Sequence, residues 1–209
     1  MCIAFFFLRM LFVLPDDTGF SMHQEDRSLL DALDEEGQTA LYIAATRGDI
    51  ETTRLLLTAN ANVDIYGTRG EGCHRTALYG ACRHGSAACA KLLLEHKADA
   101  GIGDENGVTP LFAALETHQA ACVEALLKAG VDANSRCQLS GDTAIATAAY
   151  HGLHKAMLLL ISYGGDPHAI DDCGRNALFA AACSEQLKCV EILLVSPGEW
   201  REREIGGQG

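Results

Sequence analysis

The sequence predicts an all-α protein, a solenoid of about five helix-turn-helix repeats separated by short turn fingers. Three observations predict it. A phrase that opens on a helix-capping residue recurs at Thr39, Thr76, Thr109, Thr143 and Asn176, at spacings of 37, 33, 34 and 33 residues. Self-similarity of that period marks a repeat architecture. Each phrase leads into a second apolar run of helical spacing and then a turn such as ANANVD or AGVDAN, which is the pattern of paired short helices. Of the 209 residues, 48% are hydrophobic but only 6% aromatic. A core of that kind, built from Ala and Leu, suits closely packed short helices better than a sheet sandwich.

The stretch Asp104 to Asn134 shows the unit most plainly. Asn106-Gly107 is a turn pair, and Thr109-Pro110 starts a helix, with a side-chain oxygen at the cap and a proline where the missing N–H costs nothing. Leu111, Ala114 and Leu115 share one face of that helix. After a break near His118, a second helix carries Val123, Leu126 and Leu127, and Gly130 supplies the left-handed residue that ends it.

Residues 1–20 form an apolar N-terminal extension. Its first part, Met1 to Leu14, is shorter than the roughly 20 residues of a spanning helix. It also lacks the charge-then-apolar order and small-residue cleavage site of a signal peptide. The expectation is an extension that packs on the first repeat or is dispensable to the fold, with membrane association as the alternative. Residues 21–33 read as a capping helix with Leu29, Leu30 and Leu33 on one side. The repeats then span 34–64, 65–101, 102–134, 135–168 and 169–197, and 198–209 read as a disordered tail, with Trp200 folding back on the last helix as the alternative. The second repeat has four extra residues in its leading turn, IYGTRGEGCHRT. Insertions in repeat proteins fall in loops on one face, often the binding face.

Equivalent positions carry equivalent residues. Leu41, Leu78, Leu111, Ile145 and Leu178 should fill the inside of the stack. Ala44, Ala81, Ala114, Ala148 and Ala181 follow three residues later, small enough for neighbouring helices to approach. Leu55 with Leu56, Leu92 with Leu93, Leu126 with Leu127, Leu159 with Leu160, and Ile192 with Leu193 line the second helices. No unit buries these faces alone, so stability is shared along the array. Gly48, Gly85 and Gly152 relax the break between helices, but His118 and Glu185 stand there in copies three and five, where the turn should be tighter or strained. Second helices end at Asn60, Lys97, Gly130, Gly164 and, abruptly, Pro197.

The phrases TALYIAATRGD, TALYGACRHGS, TPLFAALETHQ, TAIATAAYHGL and NALFAAACSEQ, each followed by its second helix, resemble the ankyrin-repeat family over roughly Asp34 to Pro197. The resemblance implies a binding scaffold whose concave surface is formed by turn tips and exposed first-helix residues. By position these are Thr46 and Arg47, Arg83 and His84, Glu116 and Thr117, Tyr150 and His151, and Cys183 and Ser184. The residues before the caps, Gln38, Arg75, Val108, Asp142 and Arg175, add to them. Tyr and Arg often dominate interface energetics, so the partner-binding candidates are Arg75, Arg83, His84, Glu116, Thr117, Tyr150 and His151.

The rest of the composition narrows the function class. A net charge of −12 argues against phosphate-backbone binding. The nine cysteines contain no CxxC pair and fit reduced thiols in a cytoplasmic or nuclear protein. Cys89, Cys122 and Cys189 share one inward position, and with Cys82 they read as packing residues. Cys73, Cys137 and Cys173 fall in turns and are the reactive candidates. The histidines do not converge with carboxylates or thiolates. The acidic residues of the turns, Asp34, Asp104 and Asp171 among them, read as helix caps and solvating groups. No P-loop or nucleophile elbow is present. The sequence therefore reads as a non-enzymatic, monomeric scaffold for a protein or peptide, with no cofactor, metal or nucleic acid. A recruiting part of a ubiquitin-ligase adaptor and a membrane-tethered regulator are the alternatives.

Overall fold

Residues 29–67 and 74–194 are described by the computed structural model. They hold ten helices in five pairs: α1 (Ala40–Arg47) and α2 (Ile50–Thr58), α3 (Ala77–Arg83) and α4 (Ala87–Glu95), α5 (Pro110–Glu116) and α6 (Ala120–Lys128), α7 (Ala144–Tyr150) and α8 (His154–Ser162), α9 (Ala177–Cys183) and α10 (Leu187–Leu194). The run Met1 to Leu14, most of the expected capping helix, Cys73 with the centre of the inserted turn, Pro197 and the tail lie outside the described residues.

Side-chain caps start the first helices. Thr39, Thr76 and Thr143 accept the N–H of Tyr42, Tyr79 and Ala146 at 3.1, 3.2 and 3.2 Å, and Asn176 accepts that of Phe179 at 3.0 Å. Each satisfies an N–H that the helix leaves unpaired. The third copy departs from expectation, because Thr109 makes no side-chain capping bond. Pro110 at the first helical position already removes one donor there.

The break between paired helices is a left-handed residue in every copy. His118 and Glu185 adopt it at φ 63° and 58°, beside 71°, 78° and 68° for Gly48, Gly85 and Gly152. Those two turns are strained and not tighter, at a cost of roughly 1–2 kcal/mol each for a residue with a Cβ. Asn60, Lys97, Gly130 and Gly164 end the second helices at positive φ.

The acidic turn residues do more than solvate an edge. Oδ1 of Asp34 accepts the N–H of Glu36 and Gln38 at 3.0 and 2.8 Å. Asp104 does the same for Asn106 and Val108 at 3.0 and 3.1 Å, and Asp171 for Cys173 and Arg175 at 2.8 Å each. One carboxylate thus folds each of these fingers. Neighbouring fingers are also joined, since Asp31, Asp64 and Asn134 accept the N–H of Asn62, Asp99 and Asp166 at 2.9, 2.9 and 2.8 Å. Cys137 holds the Asp position in the fourth copy. It is buried, which corrects the expectation of a reactive turn thiol: its N–H closes a longer finger on the carbonyl of Asp142 at 2.9 Å.

The first helices stack in the order α1, α3, α5, α7, α9, and the second helices in the order α2, α4, α6, α8, α10. Gly80 shows how close the first layer is. A Cβ there would meet Thr46 Cγ2 at 2.5 Å and Tyr42 Cε2 at 2.8 Å. Leu41, Leu78, Leu111 and Ile145 are fully enclosed, whereas Leu178 is half-buried because no copy among the described residues follows it. In the second layer Leu56, Leu93, Leu126 and Leu160 occupy the enclosed position. Leu55 is exposed instead of inward, since the first copy turns Leu56 and Leu57 to the core. Leu30 is buried but Leu29 and Leu33 are exposed. They cannot share a helix face, because Leu33 already pairs with Thr39 in a β-bridge.

Cys82, Cys89, Cys122 and Cys189 are all buried. The Cys122 thiol beside Cys82, together with burial, pushes the Cys82 thiol well up, and burial raises Cys89 and Cys189. Buried thiols in these positions act as small apolar side chains.

Candidate partner-binding surface

The C-terminal ends of the first helices recur on one side of the stack, and each finger lies just before the same helix. Both come from the repeat period, so any side chain at the last helical turn or before the cap joins a row running across the copies.

In the second copy that row holds Arg75, Arg83 and His84. Arg75 stands before the cap, with its guanidinium carbon 5.5 Å from the centre of the Tyr79 ring. Its Nε is buried and has no hydrogen-bond acceptor among the described residues. Arg83, one helical turn beyond Tyr79, is half-buried, and His84 is exposed at the helix end. None of the ion pairs among the described residues includes Arg75 or Arg83. Tyr79 itself is buried, and its hydroxyl donates to Oδ2 of Asp104 at 3.0 Å. Burial and then the Asp104 carboxylate hold the phenol above its ordinary value, against the pull of Arg75 and Arg83. Both guanidinium groups therefore lie within electrostatic reach of one point.

Copies three and four bring together Glu116, His118, Tyr150 and His151. The rings of His118 and His151 are 5.5 Å apart, and Tyr150 meets His151 edge-on at 5.3 Å. Burial, and then His118, hold the His151 imidazole below its ordinary value, while Glu116 opposes them. Tyr150 is 54% exposed.

Other candidates are already committed elsewhere. The Thr117 hydroxyl donates to the Ala113 carbonyl at 2.7 Å, Thr46 to that of Ile43 at 2.9 Å and Ser184 to that of Ala180 at 2.8 Å. These hydroxyls satisfy carbonyls of their own helices. Val108 is buried, which removes it from the surface: its apolar side chain packs into the core. Arg175 pairs with Asp171 at 2.7 Å and with Asp142 at 3.3 Å, and Arg136 pairs with Asp172 at 3.5 Å. Burial pushes the Asp171 carboxyl up, but the N–H and guanidinium of Arg175 and the N–H of Cys173 outweigh it and hold the group below its ordinary value.

Sequence reasoning missed Tyr79, Asp104 and Leu139. Tyr79 shares its position with Tyr42, a signal the period offers. Leu139, 68% exposed in the long fourth finger, is visible as an apolar residue inside the polar turn CQLSGD.

A family model for ankyrin repeats in three copies matches residues 64–137 and 118–199, and a single ankyrin-repeat model matches 36–67. The chain belongs to the ankyrin-repeat family. Ankyrin repeats are generally modules for protein–protein interaction. This ankyrin-repeat chain is 31% identical over 191 residues to the E3 ubiquitin-protein ligase KEG of Arabidopsis thaliana, covering 88% of this chain and 11% of the relative. It is 28% identical over 177 residues to the ankyrin repeat protein nuc-2 of Neurospora crassa, covering 84% and 16%. Against the neurogenic locus notch homolog protein 1 of Xenopus tropicalis it is 32% identical over 174 residues, covering 77% and 7%. The chain thus spans 7% to 16% of the length of these relatives. No helix of the described residues is long and apolar enough to cross a membrane.

Proposed function

We propose that this chain is a non-enzymatic protein-binding module that takes a protein or peptide segment along the row from Arg75 to Tyr150. The observation that carries the reading is the pair Arg75 and Arg83, which enter no ion pair among the described residues. A partner carboxylate would pair with these guanidinium groups in charge-assisted form. Two copies further on, Tyr150 offers an exposed aromatic anchor with a polar tip. The net charge of −12 disfavours strongly acidic partners at a distance. It is screened beyond about 8–10 Å, so a near-neutral or basic segment carrying one carboxylate fits best. Glu116, His84 and His151 form the rim between the two anchors.

Selection of binders from a random-peptide library on the full chain tests this. Enriched peptides should share a carboxylate and lose binding to the Arg75→Gln, Arg83→Gln protein. Peptides that bind that variant equally well contradict the assignment.

The similarity to an E3 ubiquitin-protein ligase along 88% of the chain favours a second reading, in which the repeats recruit substrates for a ligase activity carried elsewhere. Co-purification of ubiquitin-conjugating activity with the chain separates it from a free-standing scaffold.

A further inference from the structure

The fifth copy exposes apolar residues at positions that the other copies bury or half-bury. Phe179 is 50% exposed, but Tyr79 and Phe112, at the same position, are 1% exposed. Leu194 is 69% exposed, against 3% for Leu57 and 2% for Leu127. Ala182 is exposed where Ala45, Cys82, Leu115 and Ala149 are fully enclosed. In copies one to four the neighbouring copy does the covering, as Tyr42 and Thr46 packed over Gly80 illustrate. Leu187, seven residues before Leu194 on α10, extends the patch on the same helical face. A stack whose outermost copy faces water carries polar residues there. The fifth copy carries side chains of the interior type.

We propose that residues 195–205 cover this face, with Trp200 seated against Phe179 and Leu194. The segment follows directly from Leu194. Six residues of extended chain reach about 20 Å, and the eight-residue α10 is about 12 Å long, so Trp200 can reach any point of the patch. Trp200 is the one tryptophan of the chain, and Ile205 is a second apolar residue five positions on. A tethered segment acts at an effective concentration in the millimolar range, which favours it over a second copy of the chain at micromolar protein. The proposal is independent of the binding row and develops the reading in which Trp200 folds back on the last helix.

Because Trp200 is the sole tryptophan, its fluorescence reads the contact directly. In the native full chain its emission should be blue-shifted relative to the urea-unfolded chain and protected from acrylamide quenching. Both effects should be lost in a Phe179→Ser, Leu194→Ser variant that keeps its far-ultraviolet circular dichroism. These two side chains are exposed in the described structure, so the folded stack does not depend on them. Should the double variant lose its dichroism, each single variant gives the same readout. Emission identical in native and unfolded chains overturns the proposal. So does a blue shift that appears only at high concentration together with dimers in sedimentation, which would give the face to a second copy. A blue shift unchanged in folded variants overturns it as well, since Trp200 would then be buried elsewhere.

Discussion

The hydroxyl of Tyr79 donates to Oδ2 of Asp104 at 3.0 Å, and so ties the first helix of one repeat to the finger of the next. The same carboxylate folds that finger through its other oxygen, which accepts the N–H of Asn106 and Val108. One side chain thus serves both the local turn and the register between copies. Removing the hydroxyl tests the second role alone. Tyr79→Phe should lower unfolding free energy by about 1.5–3 kcal/mol, the value of a hydrogen bond to a charged group. Asp104→Ala should lower it further, because both N–H groups of the finger also lose their acceptor. Urea denaturation of the two variants checks the order.

Glu185 stands in the left-handed break of the fifth copy at φ 58°. Glu185→Gly should raise stability by about 0.5–1 kcal/mol, the steric relief less the extra freedom of glycine in the unfolded chain. Loss of stability on that substitution would show that Glu185 makes a compensating contact. His118→Gly should gain less, since it also removes the ring that meets His151.

The repeat period revealed the helix starts, the breaks, the inward leucines and the rows. What it could not reveal depends on partners from different copies. Val108 and Arg75 occupy one position before the cap, yet one is buried and the other meets the Tyr79 ring. Hydrophobicity decides that difference, whereas position alone suggests equivalence. Cys137 reads as a turn residue, and it is one; its burial follows from a finger that folds back on itself, which composition does not encode. Leu55 and Leu56 look interchangeable in a run of three leucines, and only the helix phase separates the exposed one from the buried one. Leu178 shows the remaining limit, because its burial depends on a neighbour and not on its own copy.

His151 should make stability depend on pH. Its folded pKa lies below the ordinary value, so the unfolded chain binds the proton more readily. The contribution is fully present above the unfolded value of about 6.5 and is lost as pH falls from there through the depressed folded value. Denaturation of the parent and of His151→Gln at pH 7.5 and 5.5 should therefore show a smaller drop for the variant. Equal drops would assign the pH dependence to other groups.

In the proposed function Arg83 and Tyr150 contact a partner and contribute little to the fold. Calorimetric titration of a library-selected peptide into the parent and into Arg83→Ala, Tyr150→Ala tests it most directly. Binding should weaken roughly 100-fold, about 2.7 kcal/mol for two hot spots, with the thermal midpoint nearly unchanged. Unchanged affinity, or a loss of fold that accounts for the lost binding, would contradict it.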